Sequence, residues 1–357
     1  MSAAPHILRV PAAGLVDFGA RLFQALGLDA ASSTKVAEAL VDADLEGIAS
    51  HGVMLLPMYA DKIRAGSVSL AREATVTNDT GTAVVLDAGN ALGQLTAHQA
   101  VEIASERAKK HGLAAVAVRN AFHFGTAGRW ASMLAERGAI GVVMSNTRPL
   151  MPAPGGAERV VGNNPLAIAM PSGSGAPIVL DMAMSATAMG KIRLADAAGK
   201  PIPEGWASDA SGNPTTDAAA AIKGMLLPAA GPKGFGLAFM IDLFCGGLAS
   251  GAIGEAVKPL YGDPKMPYGC AHFFLAIDVA HFRALGDFAA AADGFADKLR
   301  GSKRALGVER LYAPGEPAQA LKASNAGTCP LAPETARDLA ALASSLGVDS
   351  KNIFNIS

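Results

Sequence analysis

Apolar positions recur at helical spacing from Val10 to Leu26 and stop at Gly27, which predicts a first helix. A second begins after Ser32-Ser33-Thr34, residues suited to an N-cap, and runs through Val36, Leu40, Val41 and Leu45. A third, around Tyr59 to Arg64, closes at Gly66. The texture then changes. Ala74-Thr75-Val76 and Ala83-Val84-Val85-Leu86 flank Asp79-Thr80-Gly81-Thr82, which predicts a hairpin. From there, helices alternate with near-continuous apolar runs. Helices are expected over Leu95 to His111, Ala127 to Arg137 and Phe235 to Leu248. Strands are expected over Leu113 to Val118, Ile140 to Met144, Leu166 to Met170, Ile178 to Leu180 and Phe273 to Ile277. Phe288 to Leu299 and Pro333 to Leu346 return to helix. Such a pattern implies a sheet covered on both faces. The expected fold is α/β: a central sheet domain at 71–287, with helical segments at 1–70 and 288–357 packed beside it and together.

Composition narrows the class. A chain of 357 residues, 50% apolar and 17% charged, can bury a large core and is not disordered. Thirty basic against 31 acidic residues leave a net charge of -1, with no global field for nucleic acid or an anionic membrane. Cys245, Cys270 and Cys329 are odd in number and far apart, so neither a disulfide framework nor a zinc pattern is expected. Met1 to Pro11 lacks the basic region and apolar block of a signal peptide. The longest greasy stretch, Phe235 to Gly254, contains Asp242 and several glycines, and reads as a buried helix rather than a membrane span. A reduced, cytoplasmic protein is the expectation.

The run Asn120-Ala-Phe-His-Phe-Gly-Thr-Ala-Gly128 sets His123 at the mouth of a glycine-punctuated turn directly after a strand. An imidazole there exchanges protons near neutral pH. Three other clusters sit at strand ends or turns: Ser50-His51-Gly52, Asp181-Met182-Ala183, and Gly231-Pro232-Lys233-Gly234-Phe235-Gly236. Each is weak alone. A lone loop histidine is more often held by backbone hydrogen bonds, Asp181 suits a helix N-cap, and Lys233 suits a solvated turn. The glycine-rich turn allows close approach of a phosphate, but lacks the spacing of a phosphate loop. No Gly-x-Gly-x-x-Gly follows a strand, no His-Glu-x-x-His occurs among the seven histidines, and no Gly-x-Ser-x-Gly elbow is present. An ordinary Rossmann unit and a metal site are therefore not expected.

Taken jointly and in order, the four clusters resemble the malate/L-lactate dehydrogenase-like family of NAD(P)-dependent oxidoreductases, a non-Rossmann type that includes ureidoglycolate and sulfolactate dehydrogenases. Gly155-Gly156, Gly162-Asn163-Asn164-Pro165-Leu166-Ala167, Gly190-Lys191-Ile192, Gly205-Trp206-Ala207, Pro214-Thr215-Thr216-Asp217 and Ala313-Pro314-Gly315-Glu316 extend the likeness over nearly the whole chain.

The resemblance implies a hydride exchange between NAD or NADP and a small 2-hydroxy acid of the malate, lactate, sulfolactate or ureidoglycolate type. His123 takes the place of the proton acceptor and donor, with Ser50 and His51 bordering nicotinamide and substrate. Asp181, Met182, Ala183, Lys233, Gly234 and Thr147 match cofactor-contacting positions, and Gly315-Glu316 a segment that closes over the cofactor. Asp181 is also placed to interact with a histidine. A homodimer is implied as well. Two departures matter: many relatives carry arginine where this chain has Glu46 and Leu55. Arg129, Arg148, Arg159 and Arg193 are the replacements to weigh as anchors for a substrate carboxylate. Arg148 also stands where NAD-preferring ureidoglycolate dehydrogenases hold an aspartate, so its charge favours the 2′-phosphate of NADPH. Two other readings stand beside this one: a reductase of cyclic imino acids, and a dinucleotide-binding protein without catalysis.

Overall fold

The computed structural model describes residues 7–325, 327–350 and 353–354; His6 and the rest of the first six residues lie outside them. Strand β1 (Leu8–Pro11) leads into helices α1 (Ala12–Ala25), α2 (Ala30–Leu45) and α3 (Leu56–Arg64). The hairpin of β2 (Thr75–Asp79) and β3 (Ala83–Asp87) is followed by α4 (Gly93–His111), β4 (Leu113–Ala121), α5 (Ala127–Glu136) and β5 (Ala139–Ser145). Short strands β6 (Met151–Pro152) and β7 (Arg159–Val161) precede β8 (Leu166–Met170) and β9 (Ile178–Met182). Next come α6 (Met189–Ala197), β10 (Ala207–Ser208), β11 (Pro214–Thr215), α7 (Ala218–Lys223), β12 (Met225–Leu226) and α8 (Pro232–Asp242). The chain continues through β13 (Cys270–Asp278), α9 (Leu285–Arg300), α10 (Glu316–Ser324), β14 (Thr328–Leu331) and α11 (Pro333–Leu346).

The main sheet has seven strands in the order β2-β3-β4-β13-β5-β8-β9. Only β3 and β4 pair in parallel. Strand β13, distant in sequence, slots between β4 and β5 and pairs antiparallel with both. Alternation along the strands supplies two cores. Ala114, Val116 and Val118 of β4 join Val143, Phe274 and the fully buried Trp130 on one face. Ala117, Ala271 and Phe273 face the other way, onto Ala238, Ile241 and Cys245. The α/β class with a sheet packed on both faces stands.

Some local expectations are corrected. The cap of α2 is Asp29, whose carboxylate accepts the Ser32 N–H at 3.1 Å, so Ser32 and Ser33 lie inside the helix rather than before it. The apolar helix begins at Pro232 and passes into a π turn at Leu243–Gly247. It is not buried. Leu237, Phe239 and Met240 are each about half exposed, because only the face bearing Ala238 and Ile241 meets the sheet. The two ends of the chain meet directly: β1 and β14 pair antiparallel, Leu8 opposite Leu331 and Pro11 opposite Thr328. Helix α11 packs on α3 and α1. No helix among the described residues is long and apolar enough to cross a membrane.

Candidate active site

His123 owes its position to an irregularity in β4. The β4–β13 register shifts between Cys270 and His272, opposite Ala121 and Val118, so β4 carries an extra residue there. Asn120 takes a left-handed φ of 49°, and its amide donates to both Asp87 oxygens at 3.0 and 3.1 Å. Such a bulge twists a strand and re-aims the residues beyond it. Here those residues are Phe122-His123-Phe124. Phe122 packs edge-on against Tyr59 at 4.9 Å, and Phe124 stacks on His272 at 4.1 Å. The Trp130 indole donates to the Phe124 carbonyl at 3.0 Å. Gly93, opening α4, lets the backbone come close: a Cβ there would lie 2.1 Å from the Phe122 carbonyl oxygen.

The imidazole is held as firmly as its backbone. The Tyr59 hydroxyl lies 2.7 Å from His123 Nδ1 and 3.4 Å from its carbonyl oxygen, and it accepts from Gln94 Nε2 at 3.1 Å. Burial, then the neighbouring His51 and His272, hold the His123 pKa well below its ordinary value, so the ring is neutral at neutral pH. The ring of His51 lies 5.3 Å away, with its Nδ1 3.0 Å from Ser50 Oγ. The turn carrying Ser50 and His51 is seated on Asp44, a buried carboxylate that accepts the Val53 N–H at 2.7 Å. Gly52 leaves room for it, since a Cβ at that position would lie 2.1 Å from Asp44 Oδ1. Burial pushes the Asp44 carboxyl up to about 7. Ser50, His51 and His123 therefore do converge. Tyr59, Gln94 and Asp44 were not legible as their supports.

Asp181 is the penultimate residue of β9, and its carboxylate accepts the Gly128 N–H at the start of α5 at 2.8 Å. No hydrogen bond joins it to a histidine among the described residues. The residue as a whole has open surface, yet its carboxyl sits against the α5 terminus, where desolvation first and then the charge of Glu46 push it up to about 6. Glu46 is itself engaged by Lys322 of α10 at 3.5 Å, and Lys322 also meets Asp42 at 2.7 Å.

The remaining sequence candidates form a second group. Asn164 Oδ1 accepts the Thr147 N–H at 2.9 Å while its Nδ2 donates to the Ala238 carbonyl of α8 at 2.8 Å. Thr147 Oγ1 donates to Asn163 Oδ1 at 2.9 Å, and the Asn163 carbonyl accepts the Met184 N–H at 2.8 Å. Asn163 and Asn164 thus tie the Thr147-Arg148 turn, the Asp181-Met182-Ala183 strand end and α8 into one frame. Gly234 is buried in the first turn of α8, and Lys233 projects beside it with no hydrogen bond or ion pair among the described residues. Gly315 packs on β9, where the Pro314 carbonyl accepts the Val179 N–H at 3.1 Å. Glu316 is turned to local use: one oxygen meets Arg300 Nε at 2.6 Å, the other the Ala313 N–H at 2.7 Å.

The four arginines separate clearly. Arg129 is committed to Asp42, and Arg159 to the Gly224 carbonyl. Arg193 is exposed. Arg148 is half-buried, has no hydrogen-bond or ion-pair partner for its guanidinium among the described residues, and lies near the cations of Arg159 and Arg193. A cavity of about 640 Å³ is lined by Pro152, Gly155, Gly205, Asn213, Pro228 and Pro232, and its lining does not include His123, Asp181 or any of the four arginines. The catalytic candidates lie outside it. Among the described residues no three His, Cys, Asp or Glu side chains group as metal ligands.

The family described as malate/L-lactate dehydrogenase matches residues 10–340. A malate dehydrogenase of Pyrococcus abyssi is 37% identical over 319 residues, 87% of each chain. A (2R)-3-sulfolactate dehydrogenase (NADP(+)) of Chromohalobacter salexigens is 36% identical over 300 residues, covering 84% of this chain and 87% of that one. The solved sulfolactate dehydrogenase of Methanocaldococcus jannaschii superposes with a TM-score of 0.92 at 31% identity, covering 97% of this chain and 99% of the other.

Proposed function

Because the chain belongs to the malate/L-lactate dehydrogenase family, we propose that it transfers a hydride between NAD or NADP and a small 2-oxo acid or 2-hydroxy acid. The observation that carries this reading is His123: a neutral imidazole, clamped at Nδ1, facing His51. The residues present suit a dinucleotide. Lys233 is a cation with no hydrogen-bond or ion-pair partner among the described residues, at the amino end of α8, where backbone N–H groups favour phosphate. Leu180 and Met182 on the outermost strand are exposed apolar groups suited to a flat ring. When bound, the dinucleotide supplies or takes the hydride.

The chain's own part is proton handling and orientation. In the oxidative direction Nε2 of neutral His123 removes the hydroxyl proton; in the reductive direction the imidazolium returns it to the same oxygen. His51, oriented by Ser50, borders the reacting carbon. Asp181, fixed on the Gly128 N–H, orients the cofactor along β9. Arg148 holds an anion, which we assign to the 2′-phosphate of NADPH. The test is oxidation of NADH and NADPH against a panel of 2-oxo acids and cyclic imines. Turnover of 2-oxo acids is expected; turnover of cyclic imines alone would replace the substrate class, and none at all would leave a binding protein.

The same reading includes a homodimer in the cytoplasm. The half-exposed Leu237, Phe239, Met240 and Leu248 give α8 and its extension an apolar face of the kind that marks an interface. The three cysteines are buried and unpaired, as suits a reducing compartment. Light scattering at micromolar concentration is expected to give twice the chain mass, and Phe239→Glu a monomer. A monomeric parent would sink the dimer.

A further inference from the structure

The hydroxyl of Tyr59 has more partners in reach than it has protons. It is fully buried, receives the Gln94 amide at 3.1 Å, and lies 2.7 Å from His123 Nδ1 and 3.4 Å from the His123 carbonyl oxygen. Its single proton can take one of two positions. Directed at Nδ1, it makes Nδ1 an acceptor and places the ring proton on Nε2. Directed at the carbonyl, it leaves the phenol oxygen free to accept Nδ1–H, which frees the Nε2 lone pair or admits the doubly protonated ring. Burial holds the phenol well above its ordinary pKa, so it keeps its proton in both arrangements.

We propose that Tyr59, anchored by Gln94, is a positioning residue whose hydroxyl donates to the His123 carbonyl and accepts Nδ1–H, so that Nε2 of one fixed imidazole is left free to take a proton and, as imidazolium, to return it. The proposal rests on the acid–base reading of His123. In oxidation the O–H bond of the substrate breaks and the proton goes to Nε2, while the hydride leaves the carbon bearing that oxygen for the oxidised nicotinamide. Before and after this transfer the phenol proton points to the carbonyl and Nδ1–H points to the phenol, because a ring with its only proton on Nε2 could not accept another there. In reduction the Nε2–H of the imidazolium breaks, leaving the neutral ring with Nδ1–H on the phenol, and the proton joins the oxygen of the carbonyl whose carbon receives the hydride. No heavy atom has to move. Two other titratable rings face His123, His51 from the turn before α3 and His272 from β13, and neither is hydrogen-bonded to it. Cys270, Tyr261 and Tyr268 lie near the phenol. Tyr59 is therefore the one fixed ring partner of His123 among the described residues.

The test is Tyr59→Phe, which keeps the ring and removes the hydroxyl, read by NMR titration of nitrogen-labelled histidine with His123→Ala for assignment. Without the phenol the imidazolium keeps an unpaired buried N–H. Its pKa is expected to fall by roughly one to two units, the worth of a hydrogen bond to a charged group. The limb of the pH–rate profile should move to lower pH by the same amount, with the Kd for dinucleotide unchanged. Gln94→Met leaves the phenol in place but unanchored, and should move the same titration the same way by less; it also serves if the first variant does not fold. A parental titration in a folded Tyr59→Phe, whatever its kcat, overturns the positioning role and leaves Tyr59 as packing. A shifted titration in a protein that turns over no 2-oxo acid would defeat the substrate reading and leave the positioning role of Tyr59 standing.

Discussion

The two halves of the site are built on opposite terms. Around His123 the ring is positioned by a chain of contacts made within the protein: Tyr59 on Nδ1, Gln94 on Tyr59, Asp44 beneath the His51 turn. Around the Asn163-Asn164 frame the backbone is equally well held, yet the cations it presents, Lys233 and Arg148, have no hydrogen-bond or ion-pair partner among the described residues. The contrast separates two tasks. A group that must exchange a proton gains from a fixed, desolvated geometry set before the substrate arrives. A group that must recognise an anion is most useful when nothing in the protein competes for it.

The contrast can be broken from either side. His123→Ala should have the largest effect, a loss of about 10²–10⁴-fold in kcat with dinucleotide Kd nearly unchanged. Parental turnover by a folded His123→Ala variant would remove the acid–base half altogether. Asp44→Asn tests whether that half carries a buried charge. A carboxyl raised from 3.8 to about 7 binds its proton more tightly in the folded state. Its stabilising contribution is thus complete below about 4 and lost as pH rises through about 7. The neutral variant should gain on the parent across that window by about 2–4 kcal/mol, read as urea-unfolding free energies at matched pH. The paired comparison is needed because His98 and His272, lowered by burial to about 4 and about 3, act in the opposite sense and lose their contribution on acidification. A constant gap from acid to neutral pH would mean Asp44 does not titrate there. The smallest effect is expected in the open half. Arg148→Asp should turn the ratio of kcat/KM for NADPH over NADH toward NADH by about tenfold, the scale of one charge-assisted contact. An unchanged ratio with a raised KM for the oxo acid would reassign Arg148 to the substrate carboxylate.

How much of this is readable in the sequence depends on how local each signal is. Leu166–Met170 and Pro333–Leu346 fold over the bounds their apolar patterns suggest. Helix α6 escapes a sequence reading because its pattern is weak: only Ile192 is buried. Strands β1 and β14 escape it because a four-residue strand has meaning only through its partner, here more than 300 residues away. The position of His123 and the His51 turn can be read from glycine and histidine spacing. Their supports cannot. Tyr59 on an amphipathic helix looks like core, and its partner lies 64 positions away. The exposure of α8 is hidden for a related reason, since an apolar face looks alike in sequence whether it meets the sheet or solvent.

The pairing of β1 with β14 also bears on how the molecule is made. The helices that hold the His51 turn and Tyr59 are synthesised early, but several groups that close over them come late: Leu321 against Gly47, the Asn325 amide on the Leu45 carbonyl, and α11 on α3. A ribosome must deliver more than 300 intervening residues before the first strand finds its complement. During that interval α1 to α3 expose apolar surface that β14 and α11 will later cover, and are open to chaperones and proteases alike. Substitutions in 328–346 should then show up less in the kinetics of purified enzyme than in the amount of protein a cell accumulates.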